Sequence, residues 1–234
     1  MTERSARKPE GLLQLVATPI GNMSDLTPRA LEALRLADEV LAEDTRRTGA
    51  MMRSLSVPGR LTSFHDHNSE ARLPLLTRWL SEGKRVALVS DSGTPGVSDP
   101  AYRAVRAALS VGARVEVLPG ATAVSTALVG SGLPPDRFAF EGFLPQRAGR
   151  RRRRIEEMSA YPGTLVYFCG PHHLLRDLRE LLEILGDRRA CVARELTKLH
   201  EEYVRGRLSD LIEHFEGSGP RGEITLVVEG ASSD

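Results

Sequence analysis

The stretch "KRVALVSDSGTPGVSDPAYRAVRAALSVGARVEVL" (residues 84–118) reads as one complete strand–loop–helix–strand unit. Val86–Val89 is an apolar run typical of a buried strand. Ten of the eleven residues from Ser90 to Pro100 are Ser, Asp, Gly, Thr or Pro, whereas a tight turn needs only about four residues. Asp99 and Pro100 then predict the start of a helix, as a side-chain cap and a first helical Pro. A long polar connection at the carboxyl end of a strand is where open α/β sheets hold ligands.

Alternating strands and helices precede this unit. The apolar runs "LLQLVAT" (12–18), "EVLAED" (39–44) and "RLTSF" (60–64) predict strands, and a helical pattern follows each of them. Thr27 and Pro28 supply a hydroxyl cap and a first helical Pro for the earliest of these helices. This alternation is typical of a mostly parallel sheet with helices on both faces.

The second half of the chain predicts a different arrangement. Its candidate strands are "RFAFEGF" (137–143), "GTLVYFC" (163–169), "RRACVARE" (188–195), "EEYVRGRL" (201–208) and "EITLVVEG" (223–230). Neighbouring strands of this set can pair antiparallel, so we expect a mixed sheet with helices. We therefore predict an α/β protein with two α/β domains, residues 12–118 and 119–231, after a disordered stretch at 1–11. The segment 119–136, rich in small residues, is expected to bridge the two domains.

Composition narrows the class of protein. The net charge is +1, so no field of the whole chain attracts nucleic acid or membrane, and any affinity for a polyanion must be local. Cys169 and Cys191 lie in apolar runs and are interpreted as buried thiols of a reducing compartment. No apolar run approaches the roughly 18 residues of a membrane span, and the N-terminus lacks the apolar centre of a signal peptide. We expect a cytoplasmic protein with no membrane partner.

Four polar connections follow predicted strands of the first half. They are "TPIGN" (18–22), "EDTRRTG" (43–49), the stretch 90–100 and "PGATA" (119–123). In a parallel sheet the carboxyl ends of strands share one edge, so these connections are expected to converge on one crevice. Glycines in them, namely Gly21, Gly93, Gly96 and Gly120, would let a ligand approach the backbone closely.

The ligand predicted for this crevice carries a sugar and a cation but no phosphates. Asp44 and Asp91 could bind a ribose hydroxyl or a cationic group. Neither the dinucleotide fingerprint G-x-G-x-x-G nor the phosphate loop G-x-x-x-x-G-K-[ST] is present. Ordinary turn chemistry is the alternative interpretation of each loop taken singly.

Eight motifs stand in an order that resembles a known family. They are "VATPIGNMSDLTPRALEAL", "AEDTRRTG", "FHDHN", "ALVSDSGTPGVSDP", "LPGATA", "GLPPDRFAFEGFLP", "ARELTK" and "RGEITLVVEG". This order resembles the tetrapyrrole-methylase-like superfamily, and most of all its ribosomal branch, the small-subunit rRNA cytidine 2′-O-methyltransferases. The resemblance runs from about residue 12 to residue 230.

The resemblance implies an S-adenosylmethionine-dependent enzyme, a homodimer, that methylates a cytidine ribose 2′-OH of 16S rRNA in the 30S subunit. The donor would lie folded in a cleft between the two domains. The donor contacts that it implies are Pro19, Asp91, Gly93, Thr94, Ser98, Asp99, Gly120, Ala121, Thr122, Leu144, Phe168, Leu196 and Gly222. The chain departs from the family where Cys169 replaces an acid and His173 replaces an Arg, with His172 retained.

A weakly acidic 2′-OH benefits from a base near its proton. We hypothesise that Asp44, Glu195 or Lys198 is the base or orienting group, because acids stand next to cations in "EDTRR" and "ARELTK". An adjacent cation lowers the pKa of a carboxylate, and a desolvated lysine can become neutral. The alternative is a structural ion pair of Glu195 with Lys198 or Arg194.

The run "QRAGRRRRRIEEM" concentrates arginines in an otherwise nearly neutral chain. We predict that this run, together with two arginines after the second strand, holds rRNA phosphates. The residues are Arg46, Arg47, Arg147, Arg150, Arg151, Arg152, Arg153 and Arg154. The alternative is a solvated, mobile arm. The loop "FHDHN" has two histidines and one carboxylate, a poor ligand set for zinc, so no metal site is predicted and we expect a contact with substrate or with the dimer mate.

Two other functions remain open from sequence. One is C-methylation of a tetrapyrrole ring with the same donor, for which an arginine arm has little use. The other is a non-catalytic RNA-binding or assembly module, which the replacement of an acid by Cys169 favours.

Overall fold

The computed structural model describes residues 10–219 and 221–231. By its internal contacts the chain divides after Thr122 into two compact units. Most of the stretch predicted to be disordered, residues 1–9, lies outside the described residues. Gly11 is buried, and its carbonyl accepts a 2.9 Å hydrogen bond from the backbone N–H of Arg114. The folded part of the first unit therefore includes Gly11.

The first unit is a parallel sheet with helices between its strands, as predicted. The strands are β1 (Leu12–Val16), β2 (Glu39–Ala42), β3 (Leu61–Ser63), β4 (Arg85–Val89) and β5 (Arg114–Leu118). The helices are α1 (Pro28–Leu36), α2 (Thr45–Ser54), α3 (Ser69–Ser81) and α4 (Ala101–Ser110). The strand order is β3-β2-β4-β1-β5, and all neighbouring pairs are parallel. The carboxyl ends of all five strands therefore share one edge.

A hydrophobic layer covers each face of this sheet. On one face α3 and α4 bury Leu76 and Ala104 against β1 and β4. On the other face α1 and α2 bury Leu34 and Met52 against β2 and β4. The continuous apolar strands of the sequence follow from this burial on both sides.

The second unit contains a mixed sheet, again as predicted. Its strands are β6 (Phe138–Phe143), β7 (Thr164–Cys169), β8 (Arg189–Arg194), β9 (Glu202–Arg207) and β10 (Ile224–Val228). Its helices are α5 (Ala123–Ser131), α6 (Ala148–Glu157), α7 (Leu174–Leu185) and α8 (Leu208–Ser218). The order is β6-β7-β10-β8-β9, in which β6 and β7 are parallel and the other pairs are antiparallel.

Two segments for which the sequence predicted no helix are helical. The segment 119–136 contains α5, which buries Val124, Ala127 and Leu128 at helical spacing and packs against β8 and β10. The arginine run forms α6, which buries Ile155 in the core of the second unit. Each of these helices buries only a few apolar side chains, among many small residues in α5 and many arginines in α6. Composition alone therefore does not indicate a packed helix in either segment.

Both cysteines are buried free thiols, as expected. Within the parts of the chain that the structure describes, we find no helix whose length and apolar character would let it cross a bilayer.

Candidate functional site

The loop after β4 is joined to the end of β1 by backbone hydrogen bonds. Thr18 N–H donates to the Gly93 carbonyl at 2.9 Å, and Gly93 N–H donates to the Thr18 carbonyl at 3.1 Å. The Ser90 hydroxyl donates to the same Gly93 carbonyl at 3.1 Å. Gly93 has a φ of +85°, a conformation that glycine adopts without steric cost. The loop that follows β4 is therefore a fixed structure rather than a loose turn.

The loop after β5 packs against the same place. The Thr94 hydroxyl donates to the Ala121 carbonyl at 3.1 Å. A Cβ built on Gly120 would lie 2.6 Å from the Ala17 Cβ, closer than atoms can pack. Glycine at position 120 thus permits the close approach of the loops that follow β1 and β5.

The loop after β2 reaches the β4 loop from the other side. Asp44 N–H donates to Asp91 Oδ1 at 2.8 Å, and Arg47 Nη1 lies 3.5 Å from Asp91 Oδ2. Asp44 is the N-cap of α2, because its Oδ1 accepts from the Arg46 N–H at 2.8 Å. The structure thus brings the four polar connections together at the carboxyl edge of the parallel sheet.

The far end of the β4 loop is shaped by Asp99. Its carboxylate accepts from Gly96 N–H at 2.8 Å and from Ala101 N–H at 2.9 Å. Helix α4 consequently begins at Ala101 with Pro100 as its N-cap, and the prediction that Asp99 is the N-cap and Pro100 the first helical residue is wrong by one position. Ser98 is held at a φ of +68°, which is strained for a residue with a side chain.

Carboxylates concentrate at this edge, and burial raises the pKa of two of them, Glu43 and Asp99. Partial burial and the neighbouring charge of Asp91 raise the pKa of Glu43. Among the described residues Glu43 has no ion-pair partner, whereas hydrogen bonds from Arg46 lower the pKa of Asp44 to about 2. Sequence reasoning passed over Glu43, although it is the first residue after β2 and the first acid of "EDTRR".

The "FHDHN" loop ends β3 at the same edge. Asn68 holds this loop closed, because its Oδ1 accepts from His65 N–H at 2.8 Å and its Nδ2 lies 3.0 Å from Ser63 Oγ. His65 Nδ1 is buried and has no hydrogen-bond partner within the described part of the chain. Nor do the described residues contain a group of three or more His, Cys, Asp or Glu side chains placed to hold a metal ion.

The four donor contacts that the family resemblance implies in the second unit differ from one another in burial. Leu144 is buried in the hydrophobic core, so only its backbone remains available to a ligand. The centroid of the Phe168 ring lies 4.8 Å from that of Phe140 and 5.5 Å from that of Phe143. Leu196 is buried, and Gly222 is exposed at a φ of +80°.

Glu195 and Lys198 form an ion pair, which was the alternative interpretation. Lys198 Nζ lies 2.9 Å from Glu195 Oε1 and 3.1 Å from Glu223 Oε2. Burial opposes the charge of Lys198, but its contacts with Glu195 and Glu223 outweigh burial and raise its pKa. This geometry favours a charged, ion-paired Lys198 over the hypothesised neutral lysine base. A Cβ on Gly222 would clash with the Glu195 carboxylate, so glycine makes room for the pair.

Cys169 donates from its Sγ to Asp177 Oδ2 at 3.4 Å. Burial, followed by the charge of Asp177, raises the pKa of this thiol. Cys169 is therefore a neutral, buried donor rather than a substitute for the acid that the family usually has at this position.

Salt bridges to glutamates neutralise most arginines of the run. Arg151 is buried with a salt bridge to Glu180 and a 3.0 Å hydrogen bond to the Gln146 carbonyl, so the prediction that Arg151 contacts RNA is wrong. Arg152, Arg153 and Arg154 each form a salt bridge with a glutamate one turn further along α6, and Arg152 and Arg154 also pair with glutamates of neighbouring elements. The structure records no side-chain partner for Arg147 or Arg150 among the described residues, and both are exposed.

Comparison with known proteins decides the family. The family described as Tetrapyrrole (Corrin/Porphyrin) Methylases matches residues 13–212 of this chain. The chain belongs to the tetrapyrrole methylase family. The resemblance found in the sequence motifs is thereby confirmed.

Similar curated proteins belong to the ribosomal branch. "Ribosomal RNA small subunit methyltransferase I" of Thermotoga maritima is 46% identical over 220 residues, which cover 94% of this chain and 99% of that protein. The protein of the same name from Micromonospora olivasterospora is 46% identical over 231 residues, which cover 98% of this chain and 74% of that protein.

Solved structures share the fold. The uroporphyrin-III C-methyl transferase of Thermus thermophilus, complexed with S-adenyl homocysteine, superimposes with a TM-score of 0.66. It is 24% identical, and the match covers 94% of this chain and 97% of that chain. This likeness confirms the predicted fold class, a chain of two α/β domains.

Proposed function

We propose that this protein transfers a methyl group from S-adenosylmethionine to the ribose 2′-OH of a cytidine in 16S rRNA. The observation that carries the proposal is the 46% identity to a small-subunit rRNA methyltransferase of nearly the same length. The convergence of the loops after β1, β2, β4 and β5 supports it, because open α/β sheets hold ligands at the carboxyl ends of their strands.

The donor edge fits a nucleoside that carries a cation and no phosphates. Gly93 and Gly120 let the loops pack closely where they meet, and Asp91 supplies a carboxylate beside them. The sulfonium of the donor makes its methyl carbon electrophilic. The protein's own task is to hold the acceptor in line with that carbon and to exclude water, and positioning of this kind can supply an effective molarity of about 10⁵ M or more.

Proton removal from the 2′-OH is assigned to Glu43. The other acids of the site are engaged: Asp44 with Arg46, Glu195 with Lys198, and Asp99 with the backbone N–H groups at the start of α4. Glu43 has no cation beside it among the described residues, and a raised carboxyl pKa makes a carboxylate a stronger base. On this proposal Asp44 orders the start of α2, while Glu195 and Lys198 orient the segment around Leu196.

Binding of the substrate's phosphates is assigned to exposed arginines whose charge is not already paired with a carboxylate of the protein. Arg147 and Arg150 at the start of α6 meet this condition. The exposed Arg46 and Arg47 meet it in part, because each also contacts an aspartate. Arg152, Arg153 and Arg154 remain secondary candidates, since RNA would have to compete with glutamates for them.

The test is methyl transfer from radiolabelled S-adenosylmethionine to three acceptors: intact 30S subunits, naked 16S rRNA and a precorrin. Transfer to 30S subunits, mapped by mass spectrometry to a cytidine ribose, is the expected result. Transfer to the precorrin alone would establish tetrapyrrole C-methylation instead. Donor binding without transfer to any acceptor would favour the non-catalytic module.

The working form is proposed to be a homodimer acting in the cytoplasm, where 30S subunits are found. Light scattering during size exclusion measures the mass directly. A monomer at concentrations that support turnover would remove the homodimer from the proposal and leave the reaction intact.

A further inference from the structure

A groove of about 910 Å³ lies between α3 and α4, on the outer surface of the first unit. Leu73, Pro74 and Thr77 line it from α3, and Tyr102, Arg103 and Arg106 line it from α4. The lining residues repeat at helical spacing on both helices, so the groove follows the helix pair for about two turns, roughly 12 Å. No part of the donor loops lines it.

Tyr102 is the notable side chain of this groove. Its side chain is 67% exposed. Aromatic residues make up only 5% of the chain, so few rings are available at the surface for a ligand. The core face of α4 is formed by Ala101, Ala104 and Ala108, so Tyr102 is not needed for packing. Its hydroxyl accepts a 3.4 Å hydrogen bond from Arg106 Nη1, which holds the ring beside a guanidinium.

The charge of the groove favours an anion. Arg103 Nη1 donates to Ser69 Oγ at 2.8 Å and lies 3.6 Å from Glu70 Oε1. Arg106 has no ion pair within the described residues, so one guanidinium is left over for a ligand. A flat exposed ring beside an unpaired guanidinium is the combination that binds single-stranded nucleic acid, by base stacking and phosphate contact.

The groove begins at the edge where methyl transfer is proposed. Helix α4 starts directly after the β4 loop, and Tyr102 is three residues beyond Asp99. Helix α3 starts directly after the "FHDHN" loop, and the Arg103–Ser69 hydrogen bond joins the beginnings of the two helices. RNA lying in the groove would therefore lead into the donor edge.

We propose that the α3–α4 groove binds the single-stranded RNA that flanks the target nucleotide, with a base stacked on Tyr102 and a phosphate at Arg106. This inference rests on the proposed function and adds to it a second contact surface for the same substrate. It assigns sequence-tolerant binding to the first unit, separate from the arginines of α6.

The experiment compares Tyr102→Ala, Tyr102→Phe and Arg106→Ala with the control Arg78→Ala. Arg78 is an exposed arginine of α3 that pairs with Glu82 outside the groove. Steady-state methylation of 30S subunits gives KM and kcat, and calorimetry with S-adenosylhomocysteine gives donor affinity. Tyr102→Ala is expected to raise KM for 30S subunits at least about fivefold, the lower end for loss of one stacked base.

The other variants separate stacking from charge. Tyr102→Phe keeps the ring and loses the hydroxyl contact with Arg106, so its KM should fall between wild type and Tyr102→Ala. Arg106→Ala should reduce the slope of log affinity against log salt by about one, as expected for one lost phosphate contact. Arg78→Ala should match wild type in KM and in salt slope.

Three results would overturn the proposal. The first is an unchanged KM in both Tyr102→Ala and Arg106→Ala. The second is a change in molecular mass for Tyr102→Ala in light scattering, which would make the groove an interface between copies of the chain. The third is wild-type protein that methylates no rRNA, which would remove the proposed function together with the groove.

Discussion

Thr18 and Gly93 exchange two backbone hydrogen bonds, of 2.9 and 3.1 Å, across the ends of β1 and β4. This pair is an isolated antiparallel bridge inside a parallel sheet. It turns the chain after β4 back across the sheet edge and places Thr94 against Ala121. The long Ser-Asp-Gly-Pro connection is therefore a defined structure, and Gly93 supplies the backbone conformation on which it depends.

Gly93→Ala is expected to weaken donor binding at least tenfold. An added Cβ would lie 3.2 Å from Ile20 Cγ2 and 3.4 Å from the Ala121 carbonyl, at a φ of +85°. Gly112→Ala is the matched control, because Gly112 also has a positive φ but open space around it. Both variants should lose about 1–2 kcal/mol of stability in urea unfolding, and calorimetry should detect weaker donor binding only for Gly93→Ala. Equal donor affinities would contradict a donor site at this bridge.

Glu43→Gln is expected to change stability in a pH-dependent way. Burial and the charge of Asp91 raise the pKa of Glu43 above its ordinary value of 4.5, so the folded state binds more protons than the unfolded state just above that pH. Wild-type stability therefore falls as pH rises through the raised pKa, and the penalty then stays constant. The variant should melt at a higher temperature than wild type at pH 8, and this advantage should vanish near pH 4.

The control for Glu43→Gln is Glu32→Gln, an exposed glutamate on α1. It should show no gain at pH 8. The same Glu43→Gln protein should lose methyl transfer in single-turnover assays while keeping donor affinity. A variant that transfers methyl groups at the wild-type rate would rule out Glu43 as the proton acceptor.

Arg151→Met is expected to destabilise the protein by about 3–5 kcal/mol, the usual cost of removing one partner of a buried ion pair. It would leave Glu180 without its buried guanidinium and free the Gln146 carbonyl. Arg153→Met, in the same run, should change stability by less than about 0.5 kcal/mol, because Arg153 is exposed and, among the described residues, pairs only with Glu157. Chemical denaturation measures both, and equal losses would show that burial does not distinguish the two arginines.

Lys198→Arg is expected to keep most methyl-transfer activity, whereas Lys198→Met should lower the melting temperature. The raised pKa of Lys198 reflects its contacts with Glu195 and Glu223, which outweigh burial, so the side chain remains a cation at neutral pH. Arginine preserves that charge and methionine removes it. A wild-type rate that rises with pH as Lys198 loses its proton, together with a Lys198→Arg variant that is inactive at every pH, would support the hypothesis of a lysine base.

Much of the fold follows from local sequence rules. Apolar runs of four to six residues separated by helical patterns predict a sheet, and capping residues such as Thr27 mark where helices begin, as its side chain accepting from Ala30 N–H confirms. The start of α4 was predicted one residue too early, because Asp99 has two partners and the sequence does not show which one governs the turn.

The site was harder to predict because its properties depend on distant partners. Sequence proximity suggested Asp44, Glu195 and Lys198 as acid–base candidates. In the structure Asp44 pairs with Arg46 and Glu195 pairs with Lys198, whereas Glu43 lies beside Asp91 and has no ion-pair partner among the described residues. In the arginine run, composition alone does not distinguish Arg151 from Arg153, whereas helix formation buries one and exposes the other.

The sequence by itself determined the order of the strands, most of the helices, the polar loops at strand ends and the family, because these depend on residues close together in the chain. Only the tertiary structure decided which side chains carry free charge, which arginines face solvent and where a groove lies beside the loops. Those properties depend on contacts between residues far apart in sequence, such as Asp44 with Asp91 and Arg103 with Ser69. The burial of a side chain and the partner of a charge depend on these long-range contacts, and a single segment of sequence does not contain them.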